Sequence, residues 1–223
     1  CVQDCPYEAI RMVPRTDGMP FPTQAHVNPA LCVSCGICVG ACPSSTPFRR
    51  TEDLKTGIDL PDYSLKELRE RVVEVAATLK GPTRVLVLAC EKGGGAGQLT
   101  GTVPMPCVAM APPSLIDFIL SRNLADGVAI AGCAESACYN RLGVAWTEQR
   151  IAGERDPYLR ARVPRERLRT IWTSALETRT FATRLAEFTA EVAALPPPKP
   201  RGAAASSHPV APPSIPTVTG AAV

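Results

Sequence analysis

Apolar residues in the second half of the chain fall into two patterns, continuous runs and helical spacing. Residues 84–89 and 127–131 are continuous apolar runs, which is typical of parallel strands buried on both faces. Residues 102–110 and 168–173 predict two further strands, the first of them irregular because prolines interrupt it. Strands that alternate with helices indicate a parallel sheet with right-handed crossovers. Residues 83–195 are therefore expected to form one α/β domain.

Helical spacing separates these runs. Residues 65–80 repeat apolar residues every three or four positions, and Ser64 with Glu67 predicts a capping box at the start. Residues 113–122 predict a helix because proline is favoured in a first turn, and residues 138–152 predict another. The apolar face of a last helix comprises Phe181, Leu185, Phe188 and Val192.

The rest of the chain is less regular. Residues 11–26 predict a loop or a loose hairpin, and residues 47–63 an extended linker leading to the helix at 65–80. Residues 196–223 contain eight prolines among small residues, which predicts a disordered tail. Because the chain begins with Cys1 and not Met, we expect a longer polypeptide. A membrane cytochrome and a soluble flavoprotein are the candidates for its upstream part.

Composition narrows the class of protein. The chain has 223 residues, of which 45% are hydrophobic but only 5% aromatic, so an aliphatic core is expected. A net charge of +3 does not favour nucleic acid or an anionic membrane as a partner. No apolar run is long enough to span a bilayer, and no signal peptide is visible. Ten cysteines without a signal peptide predict the reducing cytoplasm.

Cysteine spacing carries the candidate chemistry. Cys32, Cys35, Cys38 and Cys42 follow the pattern C-x2-C-x2-C-x3-C with a proline next, and Cys1 with Cys5 repeats the end of that pattern. Three thiolates on one short loop can converge on a single polynuclear centre. A disulfide framework is an alternative, and so is zinc, although zinc ribbons use two C-x2-C pairs without a third cysteine.

This pattern resembles the bacterial ferredoxins that carry two [4Fe-4S] clusters, and the resemblance covers residues 1–46. In that family the fourth cysteine of each run ligates the other cluster. The resemblance implies a small ferredoxin-like α+β domain with one complete [4Fe-4S] site. The ligands of that site would be Cys5, Cys32, Cys35 and Cys38. Cys1 and Cys42 would belong to a second [4Fe-4S] cluster, incomplete in this chain because its other two ligands lie upstream.

Two other residue types near this motif have simple interpretations. Gly36 and Gly40 are expected to keep the ligand loop free of bulk and to turn backbone N–H groups toward cluster sulfurs. His26 is interpreted as a surface residue, because the cysteines already supply the ligands.

A second set of cysteines lies in the predicted α/β domain. Cys90 and Cys133 follow the first and third strands, Cys107 lies in or after the second, and Cys138 starts a predicted helix. The carboxyl ends of parallel strands meet at one edge of a sheet, so we expect a tetrathiolate site for [2Fe-2S] or zinc. Unrelated core cysteines are the alternative. The helix N-terminus should lower the pKa of the Cys138 thiol.

This domain resembles the delta subunit of the methyl-viologen-reducing, F420-non-reducing hydrogenase. The resemblance rests on VLVLAC, VPMPC and GCAESAC, on Gly143 and Arg150 after them, and on RLRTIWTSALE. It implies a [2Fe-2S] cluster on Cys90, Cys107, Cys133 and Cys138. It also implies transfer of electrons from a hydrogenase or dehydrogenase to a heterodisulfide-reductase-type flavoprotein. Ser136 and Tyr139 replace a glycine and a histidine of the family pattern.

Two further segments allow more than one interpretation. The glycines at 93–97 predict a flexible loop over the edge of the sheet, since no G-K-[ST] follows that would indicate a phosphate loop. The arginines at 160–169 predict a solvated face, with a docking patch for an acidic redox partner as the alternative.

The main hypothesis is an electron-transfer module within an oxidoreductase complex, because no general base or nucleophile is evident. One alternative is a ferredoxin fused to a zinc-binding or metal-free docking scaffold. Another is a flavin- or nucleotide-binding enzyme domain that a ferredoxin supplies with electrons.

Overall fold

The N-terminal part is a hairpin followed by a cysteine loop. The computed structural model describes residues 1–18, 20–48, 56–95 and 100–197. Strands β1 (Ile10–Pro14) and β2 (Thr23–Val27) pair antiparallel, which confirms the hairpin. His26 is exposed on β2, as expected. After the cysteine loop comes α1 (Ile37–Gly40), a helix of a single turn.

The second part is a four-stranded parallel sheet, as the sequence predicts. Its strands are β3 (Val85–Cys90), β4 (Thr102–Met105), β5 (Gly127–Gly132) and β6 (Leu168–Trp172), in the spatial order β4-β3-β5-β6. The central strands β3 and β5 are buried almost throughout. The predicted strand at 102–110 is too long, because the chain turns after Met105 and residues 108–110 form a 3₁₀ turn.

Four longer helices cover the sheet: α2 (Leu65–Thr78), α3 (Pro113–Ser121), α4 (Gly143–Ala152) and α5 (Thr178–Ala194). Ser64 and Glu67 form the predicted capping box at the start of α2. The predicted helix at 138–152 begins five residues later than expected. Arg141 takes a left-handed φ of 59°, which a helix does not allow, so the segment before Gly143 is a turn.

The core has two faces, as period-two strands require. Leu86 and Leu88 of β3 lie in one apolar cluster with α2 and α3, while Val87 and Ala89 lie in another with α5. Phe181, Phe188 and Val192 supply the α5 side of the second cluster, as predicted. The core is mainly aliphatic because the sequence offers few aromatic residues.

The cysteine loop packs directly on the α/β part. A Cβ on Gly40 would lie 2.0 Å from the carbonyl oxygen of Ala109, and one on Gly36 would lie 2.7 Å from Met110. These glycines therefore permit close packing of α1 against residues 107–111. This packing role adds to the one that the sequence predicts for the two glycines in the ligand loop.

An ion pair reinforces this contact. Arg150 of α4 is 2% exposed and binds the Asp4 carboxylate at 2.8 Å, and Arg155 binds the same carboxylate.

Within the described residues, no helix has the length and apolar character needed to cross a membrane. Residues 49–55 of the predicted linker and residues 198–223 of the predicted tail lie outside the described residues.

Candidate metal centres

A cavity of about 370 Å³ lies between the hairpin and the cysteine loop. Four cysteines line it: Cys5, Cys32, Cys35 and Cys38. The same four positions are the ligand set that the ferredoxin resemblance implies. Much of the remaining lining is apolar, including Ile10, Val27 and Leu60. Four thiols around an apolar cavity fit the donor set of a [4Fe-4S] cluster.

Backbone geometry orients the cysteine side chains of this loop. Ser34 and Gly36 adopt left-handed φ values of 53° and 75° on either side of Cys35. The N–H groups of Ile37 and Val39, in α1, lie near the sulfurs of Cys35 and Cys38 and oppose the rise in the pKa of each thiol that burial causes. The Cys5 sulfur accepts the N–H of Ala9 at 3.3 Å. Such N–H donors stabilise negative charge on thiolate ligands, which is the second role the sequence predicts for this loop.

Burial controls the protonation of the metal-free thiols. It raises the pKa of Cys35, and it raises the pKa of Cys38 to about 12, with neighbouring thiols adding to both shifts. At neutral pH these thiols therefore keep their protons until a metal displaces them.

Cys42 and Cys1 lie apart from the cavity lining. Cys42 is buried, and its sulfur lies 3.0 Å from the Ser44 hydroxyl. Burial alone would raise the pKa of Cys42, but hydrogen bonds from Ser44, Gly57 and Ser45 outweigh burial and lower it. Cys1 is half-buried. Their assignment to a second [4Fe-4S] cluster stays a prediction.

The second cysteine set gathers at the carboxyl edge of the sheet. Strands β3 and β5 are neighbours, so Cys90 and Cys133 leave the sheet side by side, with their sulfurs 3.7 Å apart. Two thiolates on one tetrahedral metal, with metal–sulfur bonds of about 2.3 Å, lie about 3.8 Å apart. The pair therefore has the spacing of two ligands on one metal ion.

Gly143 brings the other two cysteines together. An ideal Cβ on Gly143 would lie 2.4 Å from the Cys107 sulfur and 3.5 Å from the Cys138 sulfur. The missing side chain leaves the space in which both sulfurs meet the first turn of α4. The thiols of Cys133 and Cys138 lie near enough to shift each other's pKa, which links Cys138 to the Cys90–Cys133 pair. Within the described residues, no set of three or more Cys, His, Asp or Glu side chains is arranged to hold a single metal ion.

Hydrogen bonds among these thiols set which of them ionises first. The hydrogen bond with Cys133 lowers the pKa of Cys90 below its usual value. Burial raises the pKa of Cys107 to about 12. The hydrogen bond to Cys133, together with burial, raises the pKa of Cys138. The prediction that the pKa of Cys138 is lowered is therefore wrong. Cys138 lies five positions before α4, and its interaction with Cys133 favours the protonated thiol.

The two sets of cysteines are neighbours. Cys35 from the first cavity packs on a buried apolar cluster formed by Ile37, Cys107, Ala109 and Trp146. Nothing in the sequence pattern predicts this contact, because it depends on how α1 docks on residues 107–111.

Sequence reasoning also missed two polar residues between the sets. The Tyr7 hydroxyl donates to the Asn140 side-chain oxygen at 3.1 Å. Asn140 is buried, and its position two residues after Cys138 is the only signal that could have drawn attention to it.

Of the other two candidate segments, the glycines at 93–97 differ from expectation, whereas the arginines at 160–169 form the predicted solvated face, since Arg160, Arg162, Arg165 and Arg169 are exposed. Gly93, Gly94 and Gly95 are buried, and a Cβ on Gly93 would lie 2.7 Å from the Gly132 carbonyl oxygen, so this part packs tightly and is not an open loop. Residues 96–99 lie outside the described residues. Most of the arginines at 160–169 bind partners within the chain: Arg162 pairs with Asp117, Arg167 donates to the Asp126 carbonyl and Arg169 pairs with Glu191.

Comparison with known families gives two matches. Residues 1–46 match the 4Fe-4S dicluster domain, and residues 98–196 match the methyl-viologen-reducing hydrogenase, delta subunit. The chain joins a 4Fe-4S dicluster domain to a hydrogenase delta-subunit domain. These matches support an iron–sulfur electron-transfer subunit of a hydrogenase-type complex. A comparison with curated proteins finds no match.

The two matches differ in how they cover the cysteines. The dicluster match contains the six N-terminal cysteines, and a dicluster domain carries [4Fe-4S] clusters. The delta-subunit match contains Cys107, Cys133 and Cys138, but Cys90 lies before its first residue. Cys90 joins the second set through the pairing of β3 with β5.

Proposed function

We propose that this chain relays single electrons between a [4Fe-4S] cluster in the N-terminal cavity and a [2Fe-2S] cluster at the edge of the sheet. The first cluster would be held by Cys5, Cys32, Cys35 and Cys38, and the second by Cys90, Cys107, Cys133 and Cys138. The observation that carries the proposal is the packing of Cys35 and Cys107 on one buried apolar cluster. A ligand of the first site, Cys35, and a ligand of the second, Cys107, therefore pack in the same cluster as Ile37 and Trp146.

The clusters supply one-electron redox chemistry when bound. The protein does the rest. Ile37 and Trp146 exclude water from the region between Cys35 and Cys107, and the N–H groups of Ile37 and Val39 offset negative charge on the first ligand set. Electron tunnelling weakens steeply with distance, so close packing of the two ligand sets favours direct transfer between the sites.

The resemblance to the hydrogenase delta subunit supports one choice of donor and acceptor. A hydrogenase or dehydrogenase would supply the electrons, and a heterodisulfide-reductase-type flavoprotein would accept them. Cys1 and Cys42 would serve the second [4Fe-4S] cluster of the dicluster domain. The number of thiolate ligands favours a reducing compartment such as the cytoplasm.

A structural zinc ion at the second set is the other candidate. The 3.7 Å separation of the Cys90 and Cys133 sulfurs suits two ligands of tetrahedral zinc as well as two ligands of one iron. Iron with acid-labile sulfide, measured against zinc, separates these two functions.

Metal analysis of anaerobically purified protein tests the proposal. Cys35→Ser should remove most of the [4Fe-4S] signal, and Cys133→Ser should remove about two irons and two sulfides per chain. Cys42→Ser is the matched control, since its sulfur lies apart from both candidate sites and should leave both largely intact. Zinc in place of iron at the second set would contradict the relay. Equal losses of the [4Fe-4S] signal in Cys35→Ser and Cys42→Ser would contradict the ligand assignment.

A further inference from the structure

Asn140 connects the two candidate sites through its side-chain amide. It is 4% exposed, and its oxygen accepts the Tyr7 hydroxyl proton at 3.1 Å. Its nitrogen donates to the carbonyl oxygen of Pro106 at 3.4 Å, and its side chain lies near enough to Cys107 to offset part of the effect of burial on the pKa of that thiol. Tyr7 lines the first cavity, two residues after Cys5, whereas Pro106 precedes Cys107. One buried amide therefore links Tyr7, which lines the first cavity, to the segment that carries Cys107.

The donor and acceptor ends of this amide are not interchangeable. The Tyr7 hydroxyl and the Pro106 carbonyl together require the Asn140 oxygen to face Tyr7 and its nitrogen to face Pro106 and Cys107. Without the Tyr7 hydroxyl, the oxygen loses its partner, and only the long hydrogen bond to the Pro106 carbonyl still orients the amide. A turned amide presents an acceptor to the Cys107 sulfur.

Tyr7 is itself held in place. The Arg141 guanidinium lies 4.9 Å from the centre of the Tyr7 ring and donates to the carbonyl oxygen of Pro6 at 2.8 Å. Arg141 follows Asn140 directly, so both ends of the bridge are fixed by the same turn between Cys138 and α4.

We propose that Tyr7 is a positioning residue that acts through Asn140 to hold an N–H donor at Cys107, and so raises the reduction potential of the centre at the second cysteine set. The inference rests on the proposed function. A hydrogen bond donated to a thiolate ligand favours the reduced state, because reduction adds negative charge that the donor offsets. The loop of the first site thereby tunes the potential of the second.

Redox titration of the whole chain, followed by electron paramagnetic resonance, tests this inference. Tyr7→Phe removes only the hydroxyl and should lower the midpoint potential of the second centre. Tyr63→Phe is the matched control, because the hydroxyl of this half-buried tyrosine also donates to a carbonyl oxygen, that of Pro104 at 3.0 Å, and is not bonded to Asn140. It should leave both midpoints unchanged.

A double variant tests whether Tyr7 acts through the amide. Asn140→Ser should lower the same midpoint by at least as much as Tyr7→Phe does. Adding Tyr7→Phe to Asn140→Ser should then produce no further shift in the second centre. A further shift of the same size would show that Tyr7 acts independently of Asn140, and it would overturn the inference.

Failure of the inference differs from failure of the proposed function. A second centre that is present by iron and sulfide content, but whose midpoint does not move in Tyr7→Phe, overturns the positioning role alone. A shift confined to the first centre overturns it too, since Tyr7 would then act as part of the first cavity. A chain without iron at the second set contradicts both proposals.

Discussion

Gly143 occupies the point where the second cysteine set meets α4. Glycine in the interior of a helix costs about 0.5–1 kcal/mol of stability relative to alanine. Helix propensity therefore favours alanine over glycine in α4. Here the missing Cβ leaves room for the sulfurs of Cys107 and Cys138, one of which lies 2.4 Å from the position that a Cβ would take. Steric exclusion by Cys107 therefore outweighs helix propensity.

Gly143→Ala should for this reason destabilise the protein, by about 1–3 kcal/mol, and displace Cys107 from the second set. The second centre should be lost from the iron and sulfide content while the first is retained. Gly153→Ala, at the other end of α4, is the control, because a Cβ there meets nothing within 4 Å and only its positive φ of 90° is penalised. An intact second centre in Gly143→Ala would show that the space beside this glycine is not needed.

Asp126 links the amino ends of the neighbouring strands β3 and β5 through hydrogen bonds with Arg84. Its carboxylate accepts the backbone N–H and the guanidinium of Arg84, just before β3. Burial would raise the pKa of Asp126, but these hydrogen bonds prevail and hold it below the usual range.

Because the pKa of Asp126 is lowered in the folded protein, part of the free energy of unfolding is lost at low pH. The contribution is complete above the ordinary aspartate pKa of about 3.9 and is lost as the pH falls through the lower folded-state pKa. Asp126→Asn should reduce the free energy of unfolding by about 2 kcal/mol at neutral pH and by less in acid. Chemical denaturation at a series of pH values measures this difference. An equal loss at every pH would contradict the ionic role of Asp126.

At the scale of elements, α1 is the part that joins the two halves of the molecule. Its residue Gly40 has no room for a Cβ against the Ala109 carbonyl oxygen, and its residue Ile37 packs beside Cys107. Correct seating of α1 is what brings Cys35 next to the second cysteine set.

Gly40→Ala should push α1 away from residues 108–110, at a cost of about 2–3 kcal/mol. Hydrogen exchange of the backbone amides in α1 and in residues 108–110 should accelerate. Gly18→Ala, in the hairpin loop, serves as the control, because its added Cβ meets nothing within 4 Å and only its positive φ is penalised. Unchanged exchange in Gly40→Ala would mean that this contact tolerates a methyl group.

The contact between Asp4 and Arg150 acts at the same scale. Among the described residues, the Nε and Nη1 atoms of Arg150 have no hydrogen-bond partner, so Asp4 is the acceptor that compensates a buried charge. Asp4→Ala should cost about 3 kcal/mol in the free energy of unfolding, because it leaves the guanidinium unpaired.

Thermal or chemical denaturation measures this cost. Asp17→Ala is the matched control, since Asp17 pairs with Arg15 at a much more exposed position, and such pairs contribute about 0–1 kcal/mol. Equal losses in the two variants would contradict the structural role of Asp4.

The elements themselves were largely predictable from the sequence. Continuous apolar runs marked β3 and β5, and the capping box marked the start of α2, because these are local patterns. The late start of α4 was not predictable, since the positive φ of Arg141 is supported by its contacts with Tyr7 and Pro6, more than 130 residues away in the sequence.

The geometry of the candidate sites was likewise predictable only in part. The spacing of Cys32, Cys35 and Cys38 predicted their convergence, because a short loop enforces it. Strand order predicted that Cys90 and Cys133 would lie close together. The roles of Asn140, Gly143 and Tyr7, and the proximity of Cys35 to Cys107, arise only from docking of the two halves.

At the scale of the whole molecule, the central claim is that two iron–sulfur centres lie side by side in one chain. Neighbouring paramagnetic centres split or broaden each other's resonance lines, and this interaction weakens steeply with distance. The fully reduced protein should therefore give a spectrum that is not the sum of two isolated centres.

Electron paramagnetic resonance of the fully reduced chain tests that claim most directly, with Cys133→Ser as the comparison. The proposed relay predicts an interaction spectrum in the unmodified protein and a simple [4Fe-4S] spectrum in Cys133→Ser, which lacks the second centre. Identical spectra from the two proteins would contradict the account, because no second centre would then lie near the first.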